Sequence, residues 1–172
     1  MPVRTVCLFP DFKNRERIDE LREKYDPLFG KIPPHITLVF PFESEWTAAE
    51  VENHVKQKLK HIKPFTVRLR GISGSEGEYL FLNVKKGNDE IIAMHDALYT
   101  GMLQEDLNRQ LSYHPHLTVG RFNNENELMG ALEETEDFLH FFEAEISCVL
   151  VERIGPNEKS IVESCISLKE EK

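Results

Sequence analysis

Cysteine is scarce in this 172-residue chain: Cys7, Cys148 and Cys165 are odd in number and form no Cys-x-x-Cys. That argues against a disulfide framework and a cysteine-based zinc site, and it fits a reducing cytoplasm. No stretch approaches the ~18 apolar residues of a membrane span. The N-terminal residues show no apolar h-region before Asp11, so neither a membrane nor a secretory route is expected. Positive charge is also short: 21 basic residues stand against 30 acidic ones, a net charge of −9. Tracking duplex nucleic acid needs a basic footprint, which this composition does not supply. The locally basic run from Lys56 to Lys63 sits at an expected helix C-terminus, where cations favour the helix dipole. A small substrate or the end of one strand is the better fit. With 40% hydrophobic and 30% charged residues, the composition is that of an ordinary globular protein.

What the chain does have is a duplicated motif. Pro34-His35-Ile36-Thr37-Leu38 and Pro115-His116-Leu117-Thr118-Val119 are both Pro-His-aliphatic-Thr-aliphatic, 81 positions apart. At the chain's His, Pro and Thr content one Pro-His-x-Thr is expected on the order of 0.015 times, and two about once in ten thousand chains. Both lie in alternating stretches, so each His and Thr, two residues apart, share one strand face while Ile36 and Leu117 face an apolar layer. One imidazole and one hydroxyl from each half are the parts for general acid–base chemistry on a phosphate. One imidazole must begin neutral and the other protonated, and histidine serves both roles because its unperturbed pKa is about 6.5. The Thr37 and Thr118 hydroxyls would donate to non-bridging oxygens as charge builds. The residues alone leave open which His begins protonated.

The order of elements repeats as well. A strand from Val3 to Phe9 precedes a helix carrying Ile18, Leu21, Tyr25 and Leu28 and closed by Gly30. The first His strand spans His35 to Phe40. Thr47 and Glu50 make a capping box for a second helix with Val51, Val55, Leu59 and Ile62, followed by a strand over 65–70. The glycine-rich segment from Gly71 to Gly77 is the expected linker. Then come a strand from Tyr79 to Val84, a helix capped by Asn88 and a second His strand from His116 to Phe122. A helix with Leu128, Leu132 and Leu139 and a strand from Ala144 to Val151 complete the repeat, and a strand over 161–168 closes the chain. Strand–helix–His strand–helix–strand occurs twice, so residues 1–172 are expected to form one domain with related lobes at about 1–72 and 77–154. The two His strands, central in their sheets, would meet across a cleft.

The His35-Ile36-Thr37-Leu38 and His116-Leu117-Thr118-Val119 motifs, the length and the element order resemble the 2H phosphoesterase superfamily. This is the two-histidine group that includes the LigT-like RNA 2′,3′-cyclic phosphodiesterases. The second motif, running on as Gly120-Arg121-Phe122, is most similar to the bacterial phosphoesterases of the YjcG type. The resemblance implies a bilobal α+β fold, two antiparallel sheets with flanking helices around a central cleft. It also implies cleavage of a phosphodiester, often cyclic, without metal or cofactor, with His35 as proton donor and His116 as acceptor. The partner would be a small phosphodiester, a nucleotide or an RNA terminus.

Other residues have two readings each. Arg121 is the obvious extra cation, yet strict alternation puts it on the face opposite His116, which suits a structural role equally. Lys31 and Tyr113, just before the two motifs, are candidates for substrate contacts at the cleft rim. Phe42 could stack a base or belong to the core. His114 with His116 could be read as a metal pair but lacks a third ligand. His95 falls on an apolar helix stripe, while His54, His61 and His140 fit no pattern and are expected at the surface. Two functions from other classes compete with the two-histidine phosphodiesterase: a nucleotide- or RNA-end-binding module without turnover, and a metal-dependent hydrolase.

Overall fold

A computed structural model describes residues 1–169. Its elements in chain order are β1 (Val3–Leu8), α1 (Arg15–Tyr25), β2 (Ile36–Glu43), α2 (Ala48–Lys58), β3 (Phe65–Ser75) and β4 (Tyr79–Lys86). They continue with α3 (Asn88–Leu98), β5 (His116–Arg121), α4 (Glu125–Glu134), β6 (Phe142–Ile146), β7 (Cys148–Ile154) and β8 (Ser160–Ser167). The strands form two antiparallel four-stranded sheets, ordered β2-β1-β7-β8 and β5-β4-β3-β6. The fold is α+β and duplicated, as the resemblance implied.

The His strands are not central. β2 and β5 are each the edge strand of their sheet, and they contact one another across the seam. An edge position is what allows the two to lie side by side, since a central strand is flanked by its own sheet on both sides. The exposed backbone of β2 is covered in the way that protects edges from stray pairing: Phe40 N–H donates to the Tyr99 hydroxyl at 3.0 Å, and the Tyr113 hydroxyl donates to the Thr37 carbonyl at 2.8 Å. The helices trade places between the halves. α1 packs against β5 of the second half, and α3 against β2 of the first. Gly120 permits the first of these contacts, because a Cβ there would lie 2.9 Å from Tyr25 Cβ.

Sheet membership also differs from sequence order. β3 follows the first four elements of the repeat but pairs with β4, and β7 returns from the C-terminal end to pair with β1. The stretch from Ala144 to Val151 is two strands, β6 and β7, broken at Ser147, each joining a different sheet. The Gly71–Gly77 segment is no linker. β3 runs through it to Ser75, and a tight turn with positive φ at Glu76 (56°) and Gly77 (69°) closes the β3–β4 hairpin.

The Thr47–Glu50 capping box is present in full. The cap of α3, however, is Gly87 at φ 96°, with Asn88 inside the helix donating to the Val84 carbonyl. α1 stops at Tyr25 before Pro27 rather than reaching Gly30, because proline disfavours helical geometry in the residue before it. α4 stops at Glu134, which leaves Leu139 exposed outside it. One continuous core, including Ile36, Leu38, Leu117 and Val119, lies behind the motifs. The cysteines are free thiols, and among the described residues no helix is long and apolar enough to cross a membrane.

Candidate active site

Each histidine is held by the same local device. His35 Nδ1 lies 2.9 Å from the Pro33 carbonyl, and His116 Nδ1 lies 2.8 Å from the His114 carbonyl. A carbonyl only accepts, so Nδ1 carries the hydrogen in both rings and Nε2 is left for the substrate. The proline at position −1 contributes to this. It biases the residue before it toward extended backbone, and it is that residue's carbonyl which meets the ring. The Pro in the Pro-His-x-Thr pattern is therefore part of the site.

His35, Thr37, His116 and Thr118 line one cavity of about 550 Å³. Tyr113 and Arg121 line it too. Lys31 does not: its Nζ is ion-paired with Glu158 at 2.9 Å. The position of Arg121 departs from strict alternation, and a β-bulge is the reason. Leu80 pairs with Gly120 but Phe81 with Thr118, so Val119 is an extra residue in β5. Two successive residues, Val119 and Gly120, are then buried, and Arg121 returns to the cleft side. The same bulge occurs in β2. Val6 pairs with Val39 and Cys7 with Thr37, leaving Leu38 as the extra residue and bringing Phe40 to the cleft.

Phe40 and Arg121, each five residues beyond a histidine, are thus equivalent positions of the two halves. Phe40 is the aromatic that sequence reasoning missed; it is 45% exposed and meets Tyr113 edge-on at 6.4 Å. Phe42 belongs to the core. His95 is buried in α3 as its stripe suggested, and it forms the cavity floor by stacking on Tyr113 at 3.8 Å and 9°. His54 is half-buried rather than superficial, with Nε2 2.9 Å from the Leu98 carbonyl.

The supports of the two histidines differ. Phe81 stacks on the His116 ring at 3.7 Å and 18°, and His114 sits beside it at 5.1 Å. Burial lowers the His116 pKa to about 4, helped by the charges of His114 and His35 and opposed by the His114 carbonyl. Burial also lowers His35, with Arg22 acting in the same sense and the Pro33 carbonyl and Asp26 against it. Arg22, 1% exposed, and Asp26 form a buried ion pair of 2.9 Å. Arg22 also donates to the Ile32 carbonyl at 2.8 Å, and Asp26 accepts from the Leu28 N–H at 2.9 Å. Together they fix the loop that delivers Pro33 and His35.

Behind Thr37, burial and the Glu152 carboxyl push the Cys7 thiol well up, so it stays protonated. Its Sγ–H points to Thr37 Oγ1 at 3.8 Å. This weak donation leaves the threonine hydroxyl free to donate into the cavity. Neither Cys7 nor Glu152 carried a sequence signal. Among the described residues, no group of three or more His, Cys, Asp or Glu side chains is placed to share a metal ion.

The family described as the 2′-5′ RNA ligase superfamily matches residues 10–154, which include both motifs. A Bacillus pumilus protein named "Putative phosphoesterase" is 32% identical over 148 residues, covering 78% of this chain and 85% of that protein. A Bacillus licheniformis protein of the same designation is 30% identical over 124 residues, covering 71% and 72%. Among solved structures, TT0787 of Thermus thermophilus superposes with a TM-score of 0.67 at 18% identity, over 100% of both chains. Escherichia coli LigT complexed with 3′-AMP gives 0.62 at 15% identity over 99% of this chain and 100% of its own. These two share the fold. With both histidine motifs inside the matched span, the chain belongs to the 2′-5′ RNA ligase superfamily, an enzyme family of two-histidine phosphoesterases.

Proposed function

We propose that this protein is a metal-independent phosphodiesterase that hydrolyses a cyclic phosphodiester by general acid–base catalysis from His35 and His116. The observation that carries this reading is the duplicated anchoring of Nδ1 on a backbone carbonyl, which offers two Nε2 atoms to one cavity beside two threonine hydroxyls. In the reaction, His116 Nε2 takes a proton from water as its oxygen bonds to phosphorus. His35 Nε2–H gives its proton to the ester oxygen as the ring P–O bond breaks. Thr37 and Thr118 donate to the non-bridging oxygens, with Arg121 at the cavity wall as the nearby cation.

The different surroundings of the rings support this division of labour. Burial lowers His116 to about 4, which suits a ring that begins neutral, and the family's usual order of donor and acceptor then makes His35 the acid. Nucleotide-sized ligands are supported by solved structures of LigT, which is complexed with 3′-AMP, with NADP+ and with ATP. We also infer a cytoplasmic setting, in keeping with the free cysteines.

The test is turnover of a nucleoside 2′,3′-cyclic phosphate, with the product isomer assigned by phosphorus NMR. His35→Ala and His116→Ala should each lower kcat by roughly 10²–10⁴-fold, and a chelator should leave the wild-type rate unchanged. The double variant should lose much less than the product of the two single losses. Tight nucleotide binding with no turnover would replace this reading by the binding module, and loss of activity to chelator by the metal-dependent hydrolase.

A further inference from the structure

The charges around the cavity bear on what can occupy it. Among the described residues that line it, the one Lys or Arg is Arg121, against the carboxylates of Glu76 and Asp106, that of Asp26 being matched by buried Arg22. Arg121 is itself engaged, with Nε donating to Glu78 Oε1 at 3.0 Å and the guanidinium over the Tyr79 ring at 5.8 Å. A polar groove continues past Arg121 and is walled by Glu76, Glu78 and Glu158, of which Glu78 is matched by Arg121 and Glu158 by Lys31, so that no free cation faces it among the described lining residues. A nucleic-acid strand leaving the cavity by this route would carry each further phosphate past carboxylates.

Around Phe40 the wall is mainly apolar, and the one charged side chain there is the Asp106 carboxylate, near Tyr99. Phe40 is 45% exposed, Leu111 is 53% exposed, and Leu107 and Tyr113 complete the surface. This wall offers apolar area for one flat group and no partner for a phosphate. The two equivalent positions have thus diverged, one to an aromatic and the other to a cation already matched by a carboxylate. The cavity volume of about 550 Å³ falls within the ~300–1,000 Å³ usual for one small ligand.

Resting on the two-histidine reading above, we propose that the substrate carries one negative charge, that of its reacting phosphodiester, and one uncharged planar group that packs on Phe40 and Leu111. It is a cyclic phosphodiester of mononucleotide size and not the end of an RNA chain. Proteins that hold single-stranded nucleic acid combine a positive groove with stacking aromatics, and here the aromatic is present while the groove is negative.

The experiment compares cytidine 2′,3′-cyclic phosphate with a trinucleotide ending in the same cyclic cytidine, using the full chain at low and high salt. The mononucleotide should be preferred by about tenfold or more in kcat/KM, because like charges suppress the longer partner. Its kcat/KM should also lack the steep fall with salt that accompanies multiple phosphate contacts. Glu158→Lys, in the groove and outside the cavity lining, should raise kcat/KM for the trinucleotide several-fold and leave the mononucleotide unchanged. Phe40→Ala should raise KM for the mononucleotide with little change in kcat. A trinucleotide turned over equally well or better overturns the substrate class and leaves the two-histidine reading standing. No turnover of either compound by the wild-type protein overturns both.

Discussion

The pH dependence of kcat/KM follows directly from the two imidazole environments. On the proposed mechanism the reactive free enzyme has His116 neutral and His35 protonated. His116 becomes neutral above about 4, the value to which its burial and the neighbouring His114 and His35 charges lower it. His35 loses its proton at a pH below the ordinary histidine value, because burial lowers it too. The productive population therefore rises through about 4 and falls before 6.5, so kcat/KM should peak on the acid side of neutrality. Beyond each limb the rate should change about tenfold per pH unit, so that at pH ~8.5 at least about a hundredfold is lost from the maximum. The two limbs belong to the coupled pair and not to either ring alone. The profile of kcat should have its basic limb at higher pH, because a bound phosphodiester anion stabilises the imidazolium. His114→Ala removes one of the charges that hold His116 down, so the acid limb should move to higher pH while the basic limb stays. Initial rates across pH ~2.5–9 with a substrate that does not titrate there check all three statements. A maximum above pH 7, or an acid limb unmoved in His114→Ala, would refute the reasoning.

Three further outcomes can be measured on the same protein. Thr37→Ala and Thr118→Ala should each lower kcat by about 10²-fold, the usual loss for one strong oxyanion donor, with Thr→Ser at either site recovering most of it. Arg22→Ala strands Asp26 in the interior at a cost of about 3–5 kcal/mol, which thermal denaturation should show as a fall in Tm of roughly 10 °C or more. Replacing both partners, as Arg22→Met with Asp26→Leu, should recover most of that fall. Tyr113→Phe deletes the hydrogen bond to the Thr37 carbonyl and should cost about 1 kcal/mol, a Tm decrease of ~2–4 °C in differential scanning calorimetry.

The chain wrote its His-Thr pairs legibly because a strand repeats every two residues. His35 with Thr37, and His116 with Thr118, are forced onto one face by local geometry alone. The helix stripes and the Thr47–Glu50 capping box are equally local; the structure contains the box in full and the stripes without their last members, Leu28, Ile62 and Leu139. What could not be read depends on partners distant in sequence. Whether β3 pairs with β1 or with β4 is decided by which sheet has an open neighbour, and β7 fills the place beside β1 only on its return from the C-terminal end. The edge position of β2 and β5 follows from the same pairing choices. Arg22 and Asp26, four apart on and just beyond a polar helix, look like a surface pair until the loop over 27–35 folds across them. The bulges at Leu38 and Val119 were hidden because an extra residue leaves the sequence pattern unchanged and shows only in the register with β1 and β4.

Those bulges connect the duplication to the chemistry. They bring Phe40 and Arg121 to the cleft at equivalent places, so the two halves present one backbone plan with different side chains on it. The same holds one strand inward, where Thr37 is paired with Cys7 and Thr118 with Phe81. The thiol points its hydrogen at Thr37 Oγ1, while the phenyl ring stacks on His116. A perfectly two-fold site would give both imidazoles the same proton affinity, and a reaction needing one acid and one base would start from a degenerate pair. The surroundings of the two rings differ outside the motifs. Phe81 and His114 flank His116, which burial lowers to about 4, while His35, lowered by burial as well, has the buried Arg22–Asp26 ion pair nearby instead. On the proposed mechanism identical motifs supply the reacting groups, and the unlike residues around them give the two groups different settings.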